Sequence, residues 1–332
     1  MNRKIIYVLI GIFAVLLLVS YIQRSFERAT GKPETLNQLS LSFEPEKVTK
    51  IDVFKQDYPD SGLHFLKRDT VWVVTNEYSA PAKGSDVRKL IDDLHAISGT
   101  VRGESADLFS NFDITDEKAL QIEFHDSDNN KVLHIYVGKG GGTGRESFVR
   151  LAGSPITYLA DENFISRFAA WNAPPEKKLP TDRWLELKLC EFDKNNIESI
   201  KINKGKTIFE FVNQETPSED TLSPPQKVWK QISPEKGTRL DENKIKSLSA
   251  GIAGLRGKGV VDPANGEKFG LDKPKSIVWI GDNSGKGIEI DVGDPVNKDE
   301  DRYVVIKGRG TVYNIDKGTF ERIFVKPFEG AK

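Results

Sequence analysis

Residues Leu133–Gly138 read LHIYVG, and 155 positions later Ile288–Gly293 read IEIDVG. Each places an apolar residue at every second position, the period of a strand with one face buried, and each stops at a Val-Gly pair. One such segment is a strand. Two, set among flanks that also match, are a duplication.

The flanks do match, in order. Val48–Val53 is answered by Ile197–Ile202, and Val71-Trp-Val-Val-Thr75 by Val228-Trp-Lys-Gln-Ile232. Ser85–Ile97 carries apolar residues at 87, 90, 91, 94 and 97, one face of a helix, with Ser85 or Gly84 available as a cap. Asp241–Leu255 is its counterpart. Phe112–Glu123 is matched by Phe269–Ile280, Ser147–Leu151 by Arg302–Ile306, Ile156–Ala160 by Thr311–Ile315, and the short helix around Phe164–Phe168 by Thr319–Phe324. His64–Lys67 and Val71–Val74 read as a hairpin turning at Arg68-Asp69-Thr70. Short turns between the strands call for mainly antiparallel pairing, so the expected fold is α+β: two tandem repeats of about 130 residues, each with one main and one short helix.

The expected organisation is a cytoplasmic tail at 1–4, a transmembrane anchor at 5–22, a juxtamembrane linker at 23–44, the first repeat at 45–170, a proline-containing linker at 171–195 and the second repeat at 196–326. Ile5–Ile22 is an uncharged run of about 18 residues behind Arg3 and Lys4, long enough for a bilayer core of roughly 30 Å. No small-residue cleavage pattern ends it, so an uncleaved signal anchor is expected rather than a cleaved signal peptide. In a bacterium this topology leaves a short basic tail inside and the repeats in the periplasm, anchored in the inner membrane by one helix. Trp171 and Trp184, at the ends of the proline-rich stretch, are expected to pack between the halves.

Lys+Arg 48 against Asp+Glu 49 leaves a net charge of −1, and the basic residues are scattered among acidic ones, so no nucleic-acid partner is expected. The single cysteine, Cys190, excludes an intrachain disulfide and reads as a small buried hydrophobe.

Gly138–Ser147 is glycine-rich, but no Lys-Ser/Thr follows at phosphate-loop spacing, G-x-G-x-x-G fails in every frame, and a strand rather than a helix comes next. The equivalent segment after Gly293 is acidic, so both are read as hairpin connections. Asp126, Asp128 and Asn130 begin like a calcium loop, but Lys131 and Val137 stand where Gly and Glu are needed; a turn is expected, as at Asp282–Gly285. The histidines are 64, 95, 125 and 134; His125 and His134 flank one hairpin, but with no third metal ligand signalled, solvent-facing strand positions are expected. No Ser-His-Asp order or nucleophile elbow is present. The expectation is therefore no enzyme, with no catalytic, cofactor-binding or metal residue assigned and no cofactor.

The W-x-V strand at Trp72, the runs at Phe112 and Phe269, the Val-Gly pairs at 137–138 and 292–293, the [FY]-V-x-x-x-G runs at Phe148 and Tyr303, and the segment Trp171–Leu185 resemble the DUF4340 family of membrane-anchored bacterial proteins over about residues 45 to 325. These are motifs of fold. The resemblance implies a domain of unknown function, a companion of ABC-2-type export systems and gliding-motility-type auxiliary proteins, and transfers no catalytic residue. The leading expectation is an interaction module, an accessory of an ABC-type membrane transport complex with a transporter subunit as partner. The alternative is a periplasmic module for glycan or peptide, with Trp72, Trp229 or Trp279 as stacking residues. An unrecognised enzyme comes third.

Overall fold

The structure, a computed structural model, describes residues 38–328 apart from 172–173, 175, 191, 217–225, 238, 265–268, 283, 285 and 297–299. The tail at 1–4, the anchor at 5–22 and the linker up to residue 37 lie outside the described residues. Among the described residues, no helix is long and apolar enough to cross a membrane.

The first half runs β1 (Lys50–Lys55), β2 (Tyr58–Arg68), β3 (Val71–Val74), β4 (Ala80–Pro81), α1 (Gly84–His95), β5 (Gly99–Gly103), β6 (Leu120–His125), β7 (Lys131–Gly140), β8 (Ser147–Leu151), β9 (Thr157–Ala160) and α2 (Phe164–Arg167). The second runs β10 (Ile197–Lys204), β11 (Thr207–Thr216), β12 (Gln226–Ser233), α3 (Glu242–Ala253), β13 (Gly259–Val261), β14 (Ser276–Asp282), β15 (Gly287–Val296), β16 (Asp301–Ile306), β17 (Val312–Ile315) and α4 (Lys317–Phe324). Among the described residues the first half forms one sheet in the order β4-β3-β2-β1-β6-β7-β8-β9-β5, and the second forms another in the order β12-β11-β10-β14-β15-β16-β17-β13. Strand for strand the orders coincide, with β4 extra in the first. Neighbouring strands pair antiparallel, so the fold is mainly antiparallel α+β with few helices.

Alternation sets the register. Ile51 and Val53 of β1, Phe65 of β2, Ile122 and Phe124 of β6, and Ile135 and Val137 of β7 are buried with Val87, Leu90, Ile91 and Leu94 of α1. A one-residue slip of β1 would turn two aliphatic side chains out and Asp52 in, at roughly 1.5–3 kcal/mol for each aliphatic group lost from the core.

The Val-Gly pairs mark the same local event twice. The register of β7 on β8 shifts between Val137 and Gly140, and that of β15 on β16 between Val292 and Pro295. A Cβ on Gly138 would collide with the Phe112 carbonyl oxygen, and one on Gly293 with the Phe269 carbonyl oxygen. The incoming segment thus crosses the bulged strand at backbone contact, and at Asp294 the strand amide donates to Phe269 O at 2.7 Å. Phe112 stacks on Phe148 and Phe269 leans on Tyr303, one aromatic pair per crossing.

The segment between the halves is packed against both. Lys83 N donates to Trp184 O and Glu186 N to Pro81 O, while Leu189 N donates to Leu255 O and Gly257 N to Leu187 O. The expectation that Trp171 and Trp184 pack between the halves is corrected. Trp184 is buried against Phe65 and Phe168, both of the first half, and Trp171 is 53% exposed. The same strand-like docking explains the start of α1. Its N-cap is Lys83, not Gly84 or Ser85, because the Lys83 amide is held extended by Trp184 O. In α3 the cap is a side chain, Asp241 Oδ1 accepting from Lys244 N. Leu39, Leu41 and Phe43, in the stretch read as juxtamembrane linker, alternate with exposed neighbours and are buried in the core. Cys190 is buried.

Because both crossings meet backbone rather than a movable side chain, G138A and G293A should each destabilise the full chain by roughly 3 kcal/mol or more. Nothing lies within 4 Å of a Cβ on Gly142, so G142A should stay within about 0.5 kcal/mol of the parent. Urea unfolding of the three variants checks this.

Candidate functional site

The outward face of the first sheet carries the polar half of the alternation, yet much of it is buried. Across β2, β1, β6 and β7 the register places His64 opposite Asp52, Asp52 opposite Glu123, and Glu123 opposite His134. His125 stands two positions along β6 from Glu123, diagonal to Asp52. Asp52, Gln121, Glu123 and His125 are each at most 9% exposed.

Contacts knit the row together. His64 Nδ1 lies 2.7 Å from Asp52 Oδ1, and Lys50 Nζ 2.9 Å from Asp52 Oδ2. Lys131 Nζ donates to Glu123 Oε1 at 2.5 Å, with His134 Nε2 3.4 Å from the same oxygen and 2.9 Å from Gln121 Oε1. His125 Nε2 is 3.3 Å from Glu123 Oε2 and 3.5 Å from Asp52 Oδ2, yet neither ring nitrogen of His125 has a hydrogen-bond partner among the described residues. His134 stacks on Tyr136, whose ring is covered by the Arg150 guanidinium. Arg150 is itself buried, donating to Ile114 O at 2.6 Å and pairing with Asp116.

Burial raises the Asp52 carboxyl, but the hydrogen bonds from His64 and Lys50 outweigh it and hold the group below its ordinary 3.8. The hydrogen bond to Asp52 lifts His64 above 6.5. Burial pushes His134 the other way, below 6.5, against the pull of Glu123.

The expectation that His125 and His134 occupy solvent-facing positions is corrected for His125, which is 7% exposed. Of the two histidines, only His125 joins a group of candidate metal ligands, and its companions are carboxylates rather than His134. Asp52, Glu123 and His125 each bring one donor atom within 4.8 Å of the others. No local signal in the sequence marked the two carboxylates, since each looks like the polar member of an alternating strand.

In the second sheet the same row has other occupants. Glu210 opposes Lys201, Lys201 opposes Trp279, and Trp279 opposes Glu289. Trp279 lies over Gly281 and Gly287, where a Cβ would meet its ring. There a groove of about 370 Å³ opens, lined by Lys201, Asn203, Glu210, Ile277, Trp279 and Glu289 among others.

The segments after Asp126 and Asp282 are turns. Asp126 Oδ1 accepts from the amides of Asp128 and Asn130, and Asp282 Oδ1 from those of Ser284 and Lys286. The glycine-rich segment continues β7 to Gly140 and then turns, tied by Thr143 Oγ1 to Glu146 and by Asn163 Nδ2 to Gly144 O. Its counterpart includes residues 297–299, outside the described residues.

The His64–Asp52 pair has a pH window. His64, raised, contributes its stability below 6.5 and loses it as pH climbs through its higher folded value. Asp52, lowered, contributes above 3.8 and loses it as pH falls through its folded value. Imidazole NMR of the full chain should show His64 titrating above 6.5 and D52N moving that midpoint down; a midpoint at or below 6.5 in the parent contradicts the pairing.

A comparison with curated proteins and with solved structures finds no match. The family model for a domain of unknown function, DUF4340, matches residues 72–265 and 229–327. The two matches begin at Trp72 and Trp229, the same position in the two halves. The chain therefore belongs to the DUF4340 family, through both of its repeats.

Proposed function

We propose that this chain is an interaction module, tethered to the bacterial inner membrane by the apolar segment 5–22 with its repeats in the periplasm, and an accessory of an ABC-type transport complex. The observation that supports the reading is the outward face of the second sheet. Ile277 and Trp279 are partly exposed there, Ile208 is 43% exposed on the same face as Glu210, and Ile232 on neighbouring β12 is 46% exposed. Apolar groups ringed by Lys201, Glu210 and Glu289 on an open face have the make-up of a docking surface, an apolar centre with a charged rim. The first sheet of the same chain carries a differently charged row on its own outward face.

A photo-crosslinking residue at Ile208, read by mass spectrometry of adducts formed in cells, is expected to capture a transporter subunit recurrently. Adducts confined to the chain itself, or none, contradict the reading.

One observation favours a ligand-binding reading as well. Trp72 and Trp229 are each 7% exposed, whereas Trp279 faces the groove. If a glycan or peptide stacks there, adding it to the full chain should change the tryptophan fluorescence, and W279A should weaken binding by about five- to a hundredfold, since an aromatic contact of this kind contributes about 1–3 kcal/mol. An unchanged signal across a panel of oligosaccharides and peptides counts against it.

A further inference from the structure

We propose that His125 Nε2, Asp52 Oδ2 and Glu123 Oε2 are the protein ligands of a divalent transition-metal site of the zinc class on the outward face of the first sheet. A tetrahedral zinc ion about 2.1 Å from each donor spaces its ligands about 3.4 Å apart. The imidazole nitrogen lies 3.3 Å from the Glu123 oxygen and 3.5 Å from the Asp52 oxygen. The Nε2 atom makes no hydrogen bond to either oxygen, and the side chain is only 9% exposed. A buried nitrogen facing two carboxylate oxygens without a hydrogen bond is a costly arrangement that a cation between the three atoms resolves.

The remaining carboxylate oxygens are already held. His64 fixes Asp52 Oδ1, and Lys131 fixes Glu123 Oε1, the outer contacts that orient metal ligands. Lys50 is the competitor, because its ammonium lies on Asp52 Oδ2, the ligand atom itself. The Lys50 side chain is 39% exposed and can swing to water when a metal enters. One imidazole and two carboxylates without thiolate suit zinc, manganese or ferrous iron, and zinc ranks above the other two in affinity. Three protein ligands leave a fourth vertex for water. The second repeat has Lys201, Trp279 and Gly281 at the corresponding places, so the site belongs to the first repeat alone.

The test uses the full chain, stripped with chelator and titrated with zinc chloride by calorimetry, and with cobalt chloride by visible absorption. The expected result is saturable uptake of about one zinc per chain, with the intense cobalt bands of a tetrahedral site. E123Q and H125Q should each weaken uptake by about a hundredfold or more, as loss of a direct ligand exceeds loss of an outer one. K50M should strengthen it, an outcome that a purely structural ion cluster would not give, and H95Q, at an exposed position, should leave it unchanged. Absence of saturable uptake and of tetrahedral cobalt bands in the parent, or uptake that E123Q and H125Q leave unaltered, overturns the proposal. The parent spectrum and K50M keep the test decisive if E123Q or H125Q does not fold.

Discussion

Each repeat depends on one close approach. An incoming segment lays a backbone carbonyl, Phe112 O in one half and Phe269 O in the other, against a glycine in a ten-residue strand inside the sheet of its half. No side chain fits between, so the strand must have glycine there, and it bulges at that point in both halves. The crossing delivers the chain to the start of β6 or β14, beside β1 or β10. It thereby closes the long-range pairing on which the middle of each sheet rests. The loss of one methyl group at residues 138 and 293 is thus what lets local hairpins become a nine- and an eight-stranded sheet.

With the inward faces committed to a common core, the outward faces were free to diverge, and they did so along one row. In the first sheet the row gathers three histidines, two carboxylates and two lysines within a few ångströms. In the second, a tryptophan lies across two glycines at the head of a groove. The same strand order with different side chains is the pattern expected when one framework presents two surfaces. Domain-level function follows from those surfaces rather than from the shared fold.

What could be read from the sequence was local. Period-two alternation revealed β1, β6, β7, β10, β15 and β16, and the Val-Gly echo revealed the duplication, because both patterns lie within a few residues. The short edge strands β4, β5 and β13 were not legible. They have little apolar alternation of their own, and β5 and β13 are strands by virtue of pairing with β9 and β17, more than 50 residues away. Trp184 was misplaced for the same reason: its partners, Phe65 and Phe168, come from the first half, although proline-rich sequence precedes it. The candidate site was half legible. Two of its histidines stood out as a pair flanking a hairpin, but Asp52 reaches His125 only through the β1–β6 register. Burial of this polar face was not legible either, because the Tyr136 and Arg150 side chains that flank it alternate like any exposed residues.

The crossing is tested most directly by native-state hydrogen exchange of the full chain. The Asp294 amide, which ties β15 to the incoming segment by donating to Phe269 O, should exchange only with global unfolding, as slowly as the amides paired between β14 and β15. Exchange of Asp294 on the timescale of an ordinary surface loop, with those strands still protected, would contradict the account, because the sheet would then be stable without the contact assigned to hold it.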